Sequence, residues 1–140
     1  MTPHQIDLVQ SSFAKISPLG DDAGRIFYGR LFNIAPDVRR LFRGDLEAQA
    51  GKLIQMLGVI VTDLKDLDAL LPAARALATR HVDYGVEPSH YNAVGEALIW
   101  TLADAIGPEF DEEAETAWRA AYGMLADEMM AAAYNGGMVA

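Results

Sequence analysis

Between its proline and glycine breaks, this chain places apolar residues every three or four positions and nowhere alternates them convincingly at period two. That spacing lines one stripe of a helix and leaves no segment that reads as a half-buried strand. The expectation is an all-α fold. Thr2-Pro3-His4-Gln5 opens the first helix. Thr2 caps it, Pro3 suits the first helical position and Gln5 completes a capping box. Ile6, Val9, Phe13 and Ile16 follow at helical spacing, and Ser17-Pro18-Leu19-Gly20 ends the run.

A second helix, from Asp21 or Asp22 to about Ala35, carries Ala23, Ile26, Phe27, Leu31 and Ile34 on one face and Gly24, Tyr28 and Phe32 on another. Gly24 costs about 1 kcal/mol against alanine in a helix interior. Close approach of a second helix at Ala50-Gly51 would offset that cost. A short helix from Ala35-Pro36 to Leu41-Phe42 precedes the loop Arg43-Gly44-Asp45. Leu46 to Leu64 reads as one long helix with Ala50, Leu53, Leu57 and Ile60 on its stripe. After a break at Asp66 to Asp68, Leu70-Leu71-Pro72 leads into a helix from about Ala73 to Asp83, ended by Gly85 and Pro88. Ser89 is expected to cap the next, with Val94, Leu98, Leu102 and Ile106 inside. Gly107-Pro108 stops it. Asp111 caps the last helix, where Glu112 and Glu113 suit the positive end of the dipole. Its stripe is Ala114, Trp118, Ala121, Tyr122, Leu125 and Met129. This is about seven helices, without internal repeats, in one domain over residues 1–134, with 135–140 as a flexible tail.

At 140 residues and 51% hydrophobic content the chain can build a proper core. It has no run of about 20 apolar residues to span a membrane and no leader-like start, so a cytoplasmic protein is expected. With no cysteine, disulfides, thiolate metal sites, iron–sulfur clusters and covalently tethered haem are excluded. The net charge of −9 argues against nucleic acid and anionic membranes as partners and suits a soluble acidic surface.

Three polar residues fall on apolar helix faces: Tyr28, Gln49 and His81. A buried polar group needs a partner. His81 follows Leu77 by one turn at a helix end, and its own surroundings leave it open as a metal ligand or a satisfied core residue. His4 and His90 lie in first turns and are expected to face solvent. No histidine pair has zinc spacing, and no glycine-rich phosphate loop is present. Glu112-Glu113-Ala114-Glu115 reads as a solvated helix start, and Met124, Met129 and Met130 as core filling.

Taken in order, several segments carry a resemblance. They are Phe27-Tyr28-Gly29-Arg30-Leu31-Phe32, Pro36 to Leu41-Phe42, Gln49 with Leu53, Leu67-Asp68-Ala69-Leu70-Leu71-Pro72, Arg80-His81, Tyr91-Asn92-Ala93-Val94-Gly95-Glu96 and Ala117-Trp118-Arg119-Ala120-Ala121-Tyr122-Gly123. From about Ile6 to Met130 the chain resembles the globin domain of bacterial flavohaemoglobins and the single-domain haemoglobins of that lineage. The resemblance implies a globin fold and a haem b held without covalent attachment between the helices at 46–64 and 73–83. It implies His81 as the proximal iron ligand and Phe42 as the aromatic against the haem face. Leu53, Leu57, Val86, Val94 and Leu98 would line the pocket, and Arg80 would meet a haem propionate or stay on the surface. Tyr28 and Gln49 match the distal pair, two donors suited to oxygen that carries partial negative charge on ferrous iron.

The same resemblance places Tyr91 near the proximal histidine. In flavohaemoglobins a late glutamate joins this pair and makes the histidine more electron-donating. Counted from Trp118, its place falls at Ala133, and Glu128 is more than a turn too early. No flavin- or nicotinamide-binding segment follows the globin part, so an external electron-donor reductase is expected. The implied ligands are dioxygen, nitric oxide and other diatomic molecules. The implied function is high-affinity oxygen binding with conversion of nitric oxide to nitrate. A plain oxygen carrier or store and a haem-based gas sensor are the alternatives, in a monomer or homodimer.

Overall fold

The computed structural model describes residues 1–42, 44–83 and 86–135, and among these every regular element is helical. Helix α1 spans Pro3–Ile16, α2 Asp21–Ile34, α3 Leu46–Thr62, α4 Leu67–Asp83, α5 Pro88–Ile106 and α6 Glu112–Met130. A 3₁₀ segment, Pro36–Leu41, joins α2 towards α3 and completes the expected set. Arg43, the helix-ending Gly85 and the tail residues 136–140 lie outside the described residues. Asn135, expected to open the tail, instead ends a π-helical turn, Ala131–Asn135, that continues α6.

Local chemistry sets most of these ends. Thr2 Oγ1 accepts from the Gln5 backbone N–H at 3.1 Å, and the Gln5 side chain accepts from the Thr2 N–H at 3.0 Å. The Ala114 N–H donates to Asp111 at 2.9 Å. Two starts differ from expectation. Helix α4 begins at Leu67 rather than near Ala73, because the Asp66 carbonyl accepts from both Ala69 and Leu70, at 3.2 and 3.1 Å. Pro72 then sits inside α4, where it removes a single helical hydrogen bond. Helix α5 starts at Pro88, not after a Ser89 cap, because proline is pre-set for the first helical position.

Helix α2 occupies the centre and packs on α3 and α5, while α1 packs on α6 and α4 packs on α6. The expected close crossing is present. A Cβ built on Gly24 would stand 2.5 Å from the Ala50 Cβ and 2.8 Å from its Cα. Phe27, Leu31, Leu102 and Trp118 fill the main core around α2 and α5, each gaining roughly 1.5–3 kcal/mol from burial. Ile34, placed on the buried stripe by its spacing, is exposed at the last residue of α2. A smaller cluster of Ala74, Ala78, Tyr91, Ala126 and Met129 joins α4, α5 and α6. Helix α3 packs chiefly on α2 and α4 chiefly on α6, with Leu70 of α4 reaching the main core, and among the described residues α3 and α4 do not pack extensively on each other.

Gly24→Ala drives its methyl group into backbone rather than into a flexible side-chain end. Overpacking of this kind costs about 1–3 kcal/mol. Urea denaturation of the variant should show a loss of that size, and an unchanged midpoint would show that α2 and α3 separate freely.

Candidate functional site

Tyr28 lies one turn after Gly24 on α2 and is buried. Its ring sits 5.1 Å from Phe27, 5.9 Å from Phe32 and 5.1 Å from Phe42, centroid to centroid. Phe42 follows the 3₁₀ segment, and its carbonyl accepts from the Arg39 guanidinium at 2.9 Å. Burial raises the pKa of the Tyr28 hydroxyl, and the neighbouring Gln49 amide opposes the shift in part. The phenol is therefore protonated at neutral pH and available as a donor. Gln49 itself is exposed, which corrects its assignment to the interior. Ala50 takes the buried position at the crossing, and one residue's step turns Gln49 about 100° away from it. Leu53, Leu57 and Val94 pack against the main core, of which Leu98 is a buried member.

His81 stands in the last turn of α4, half-buried. The Val86 N–H donates to the His81 carbonyl at 2.9 Å and closes the helix end. Burial first, and the neighbouring Arg80 second, lower the imidazole pKa, so the ring is neutral at pH 7. Arg80 is exposed. The Tyr91 ring lies 6.4 Å from that of His81, tilted by 58°. Val86 and Ala133 pack against the cluster that contains Tyr91.

The structure thus sorts the residues singled out in the sequence into two groups. Tyr28, Phe42, Leu53, Leu57, Val94 and Leu98 belong to the main core on the α2–α3 side. Tyr91 and Val86 belong to the smaller cluster, with His81 beside Tyr91. Gln49 joins the first group through Tyr28.

Spacing did not reveal two supports. The Tyr122 hydroxyl donates to the Tyr91 carbonyl at 2.5 Å, and a Cβ on Gly95 would come within 2.7 Å of the Tyr122 ring. Tyr122 reads in the sequence as one more residue of the α6 stripe, and only the helix crossing shows that its hydroxyl grips α5. Burial pushes its pKa up, so it remains a donor. His90 is the other. It is 5% exposed rather than solvated. Its Nδ1 accepts from the Glu87 N–H at 3.0 Å, so Nε2 carries a proton, 3.7 Å from Asp37 Oδ2. A histidine three residues after a helix cap, followed by an apolar face, was the available signal. His4 is exposed, 3.4 Å from Glu113.

A family model described as Globin matches residues 25–129. The chain belongs to the globin family. Over 131 residues, 91% of this chain, it is 32% identical to a flavohemoprotein of Bordetella parapertussis. Over 129 residues, 90% of this chain, it is 27% identical to a flavohemoprotein of Vibrio cholerae. This globin spans about a third of the length of these relatives. Membership of the family implies haem binding, and the helical arrangement described above is the family's all-α fold.

The lowered pKa of His81 links stability to pH in the haem-free globin. The unfolded chain binds this proton more readily than the folded one, so the stability contributed is present above the ordinary value of 6.5 and is lost as pH falls through the lower folded value. Denaturation midpoints of wild type and His81→Ala, followed from pH 8 to about pH 5, should diverge on the acid side, with the variant less sensitive. Parallel curves would show that the imidazole is not held neutral by the fold. Separately, His90→Ala should cost about 1 kcal/mol or more, and His90→Gln, which keeps an acceptor at that position, should recover most of it. Equal losses in the two variants would remove the capping role.

Proposed function

We propose that this globin holds haem b between α3 and α4, binds dioxygen reversibly with high affinity, and converts nitric oxide to nitrate when an external reductase supplies electrons. One observation carries the reading. A buried, protonated Tyr28 hydroxyl, with the Gln49 side chain near enough to oppose its pKa shift, belongs to the main core, while a neutral His81 sits on α4. The donor set fits the group. Neutral imidazole is the form that binds iron, and apolar residues pack around Tyr28 and around Tyr91 beside His81, which suits a flat apolar macrocycle.

A bound haem supplies a ferrous iron at which one nitric oxide, one dioxygen and one electron give one nitrate. The chain's own residues do the rest. His81 offers its ring nitrogen, with Tyr91 beside it to limit its rotation. Tyr28 donates its O–H towards the ligand position, and Gln49 holds that hydroxyl and adds an amide donor at the solvent edge. Phe42, Leu53, Leu57, Val94 and Leu98 exclude water on the Tyr28 side, which strengthens such hydrogen bonds. Val86 covers the His81 side, and Arg80 offers an exposed guanidinium to a propionate. Among the described residues no helix is long and apolar enough to cross a membrane. A cytoplasmic location is part of the proposal and fits the cysteine-free sequence.

A second reading, an oxygen carrier or store without turnover, is favoured by Ala133. Its methyl group packs against the cluster holding Tyr91, at the place where the flavohaemoglobin pattern has a carboxylate. With no carboxylate there to charge the imidazole, oxygen is held rather than activated.

The purified protein should show a haem absorption band whose coordination changes in His81→Ala; no band in wild type sinks both readings. Tyr28→Phe should speed oxygen release by about tenfold to a hundredfold, the loss of one charge-assisted hydrogen bond. Nitrate formed over repeated additions of nitric oxide, with and without a reductase, separates the readings, because a carrier gives no more nitrate than the oxygen it already holds.

A further inference from the structure

We infer that His90 is a positioning residue whose proton decides how the turn between α4 and α5 is held beside His81. Two consecutive backbone N–H groups pin that turn from opposite sides. The Val86 N–H donates to the His81 carbonyl at 2.9 Å, at the end of α4. The Glu87 N–H donates to His90 Nδ1 at 3.0 Å, at the start of α5. Glu87 caps α5, and His90 is the third residue inside it. The acceptor at such a place is ordinarily glutamine or glutamate, and α1 of the same chain uses Gln5 there. Imidazole differs from both, because it changes charge between about pH 5 and pH 8. Nδ1 accepts only while it carries no proton. A proton on it sets two donors against each other, and the Glu87 N–H loses its partner.

The charged ring has another place to turn. Its Nε2 stands 3.7 Å from Asp37 Oδ2 and 4.0 Å from Glu87 Oε2, and among the described residues no other carboxylate is within ion-pair distance. The charged groups of the elements packed around α5 are engaged elsewhere. Arg39 reaches the Phe42 carbonyl and lies 5.5 Å from the Phe32 ring centroid. Arg30 lies over the Trp100 ring at 5.0 Å. Lys15 pairs with Glu109, and Arg119 pairs with Glu96 and Glu115. Arg40 and Arg80 are exposed. A protonated imidazole is therefore drawn from the Glu87 N–H towards Asp37, on the 3₁₀ segment that leads to Phe42. Tyr91 follows His90 in the first turn of α5, and its ring lies 6.4 Å from that of His81. Val86 packs against the cluster that holds Tyr91. Release of the Glu87 N–H thus loosens the turn at the residues that stand beside His81.

The test follows the His90 ring nitrogens by nitrogen-15 resonance and the Glu87 amide by hydrogen exchange, from about pH 8 to about pH 5. It uses the purified full chain, reduced and under carbon monoxide where haem is bound. Nδ1 should be free of its proton at the upper end and protonated at the lower. Protection of the Glu87 amide should fall about threefold to tenfold across that transition, the loss of one hydrogen bond. Protection of the Ala114 amide, held by Asp111, should not follow it. His90→Gln keeps an acceptor without the titration, so its Glu87 protection should stay level. His81 is retained in that variant, which separates the transition from titration of His81 itself. A proton on Nδ1 at the upper end overturns the inference. So does Glu87 protection that stays level in wild type, the result of a purely structural cap, or that falls equally in His90→Gln. The consequence for an iron ligand rests on the haem-binding reading above. In the ferrous haem-loaded protein the iron–histidine stretching band should shift across the same transition in wild type and stay fixed in His90→Gln. A band that moves in neither protein, or equally in both, overturns the inference. Absence of a haem band sinks the proposed function alone, because the ring and amide measurements decide the role of His90 without haem.

Discussion

The crossing of α2 and α3 at Gly24 and Ala50 leaves no room for a single added carbon, and the arrangement of the site follows from that approach. Tyr28 stands one turn beyond Gly24, and Gln49 immediately precedes Ala50. Two helices in contact at those residues bring the phenol and the amide near each other, close enough for Gln49 to oppose the rise in the phenol's pKa. The aromatic ring of Phe42 closes on Tyr28 from the segment that links the same two helices. A wider crossing would lose the core contact and the polar pair at once, which explains why a glycine, costly in a helix interior, stands at that place.

The opposite wall rests mainly on α6. Helix α4 leans on α6 through Ala74 and Ala78, with Ala126 and Met129 facing them, and Arg75 bonds to Glu128 at 2.7 Å along the edge. Tyr122 then ties α6 to α5 at the Tyr91 carbonyl, and Gly95 makes space for its ring. Because α3 is secured to α2 and α4 to α6, the two walls hold their places without touching each other extensively. Side chains on facing helices would otherwise interdigitate to native density.

Burial has the same consequence for the central titratable groups of both walls. It raises the phenol of Tyr28 and lowers the imidazole of His81, so both are uncharged at neutral pH by the same desolvation. The uncharged phenol keeps the proton it donates, and the uncharged imidazole keeps the lone pair it offers.

The helices were legible in the sequence because capping and periodicity are local. Thr2 with Gln5, Asp111 with Ala114, and the glycine and proline breaks act within a turn of chain, and the small pair Gly24 and Ala50 signalled a crossing. The starts of α4 and α5 were misplaced because Pro72 and Ser89 are stronger local signals than Asp66 and Pro88, the residues that set them. The residues of the site could be named in sequence order by resemblance to a family, but their grouping could not, since contacts such as Tyr28 with Phe42 or Tyr122 with Tyr91 join segments far apart in the chain. Burial of His90 depended on how α5 packs in the fold, and exposure of Gln49 on which neighbour took the crossing position. The sequence alone determined the helical class, the main breaks and the acidic charge. Only the tertiary structure decided which polar groups are buried and which hydroxyl finds which carbonyl, because each of those depends on distances between helices that no local preference sets.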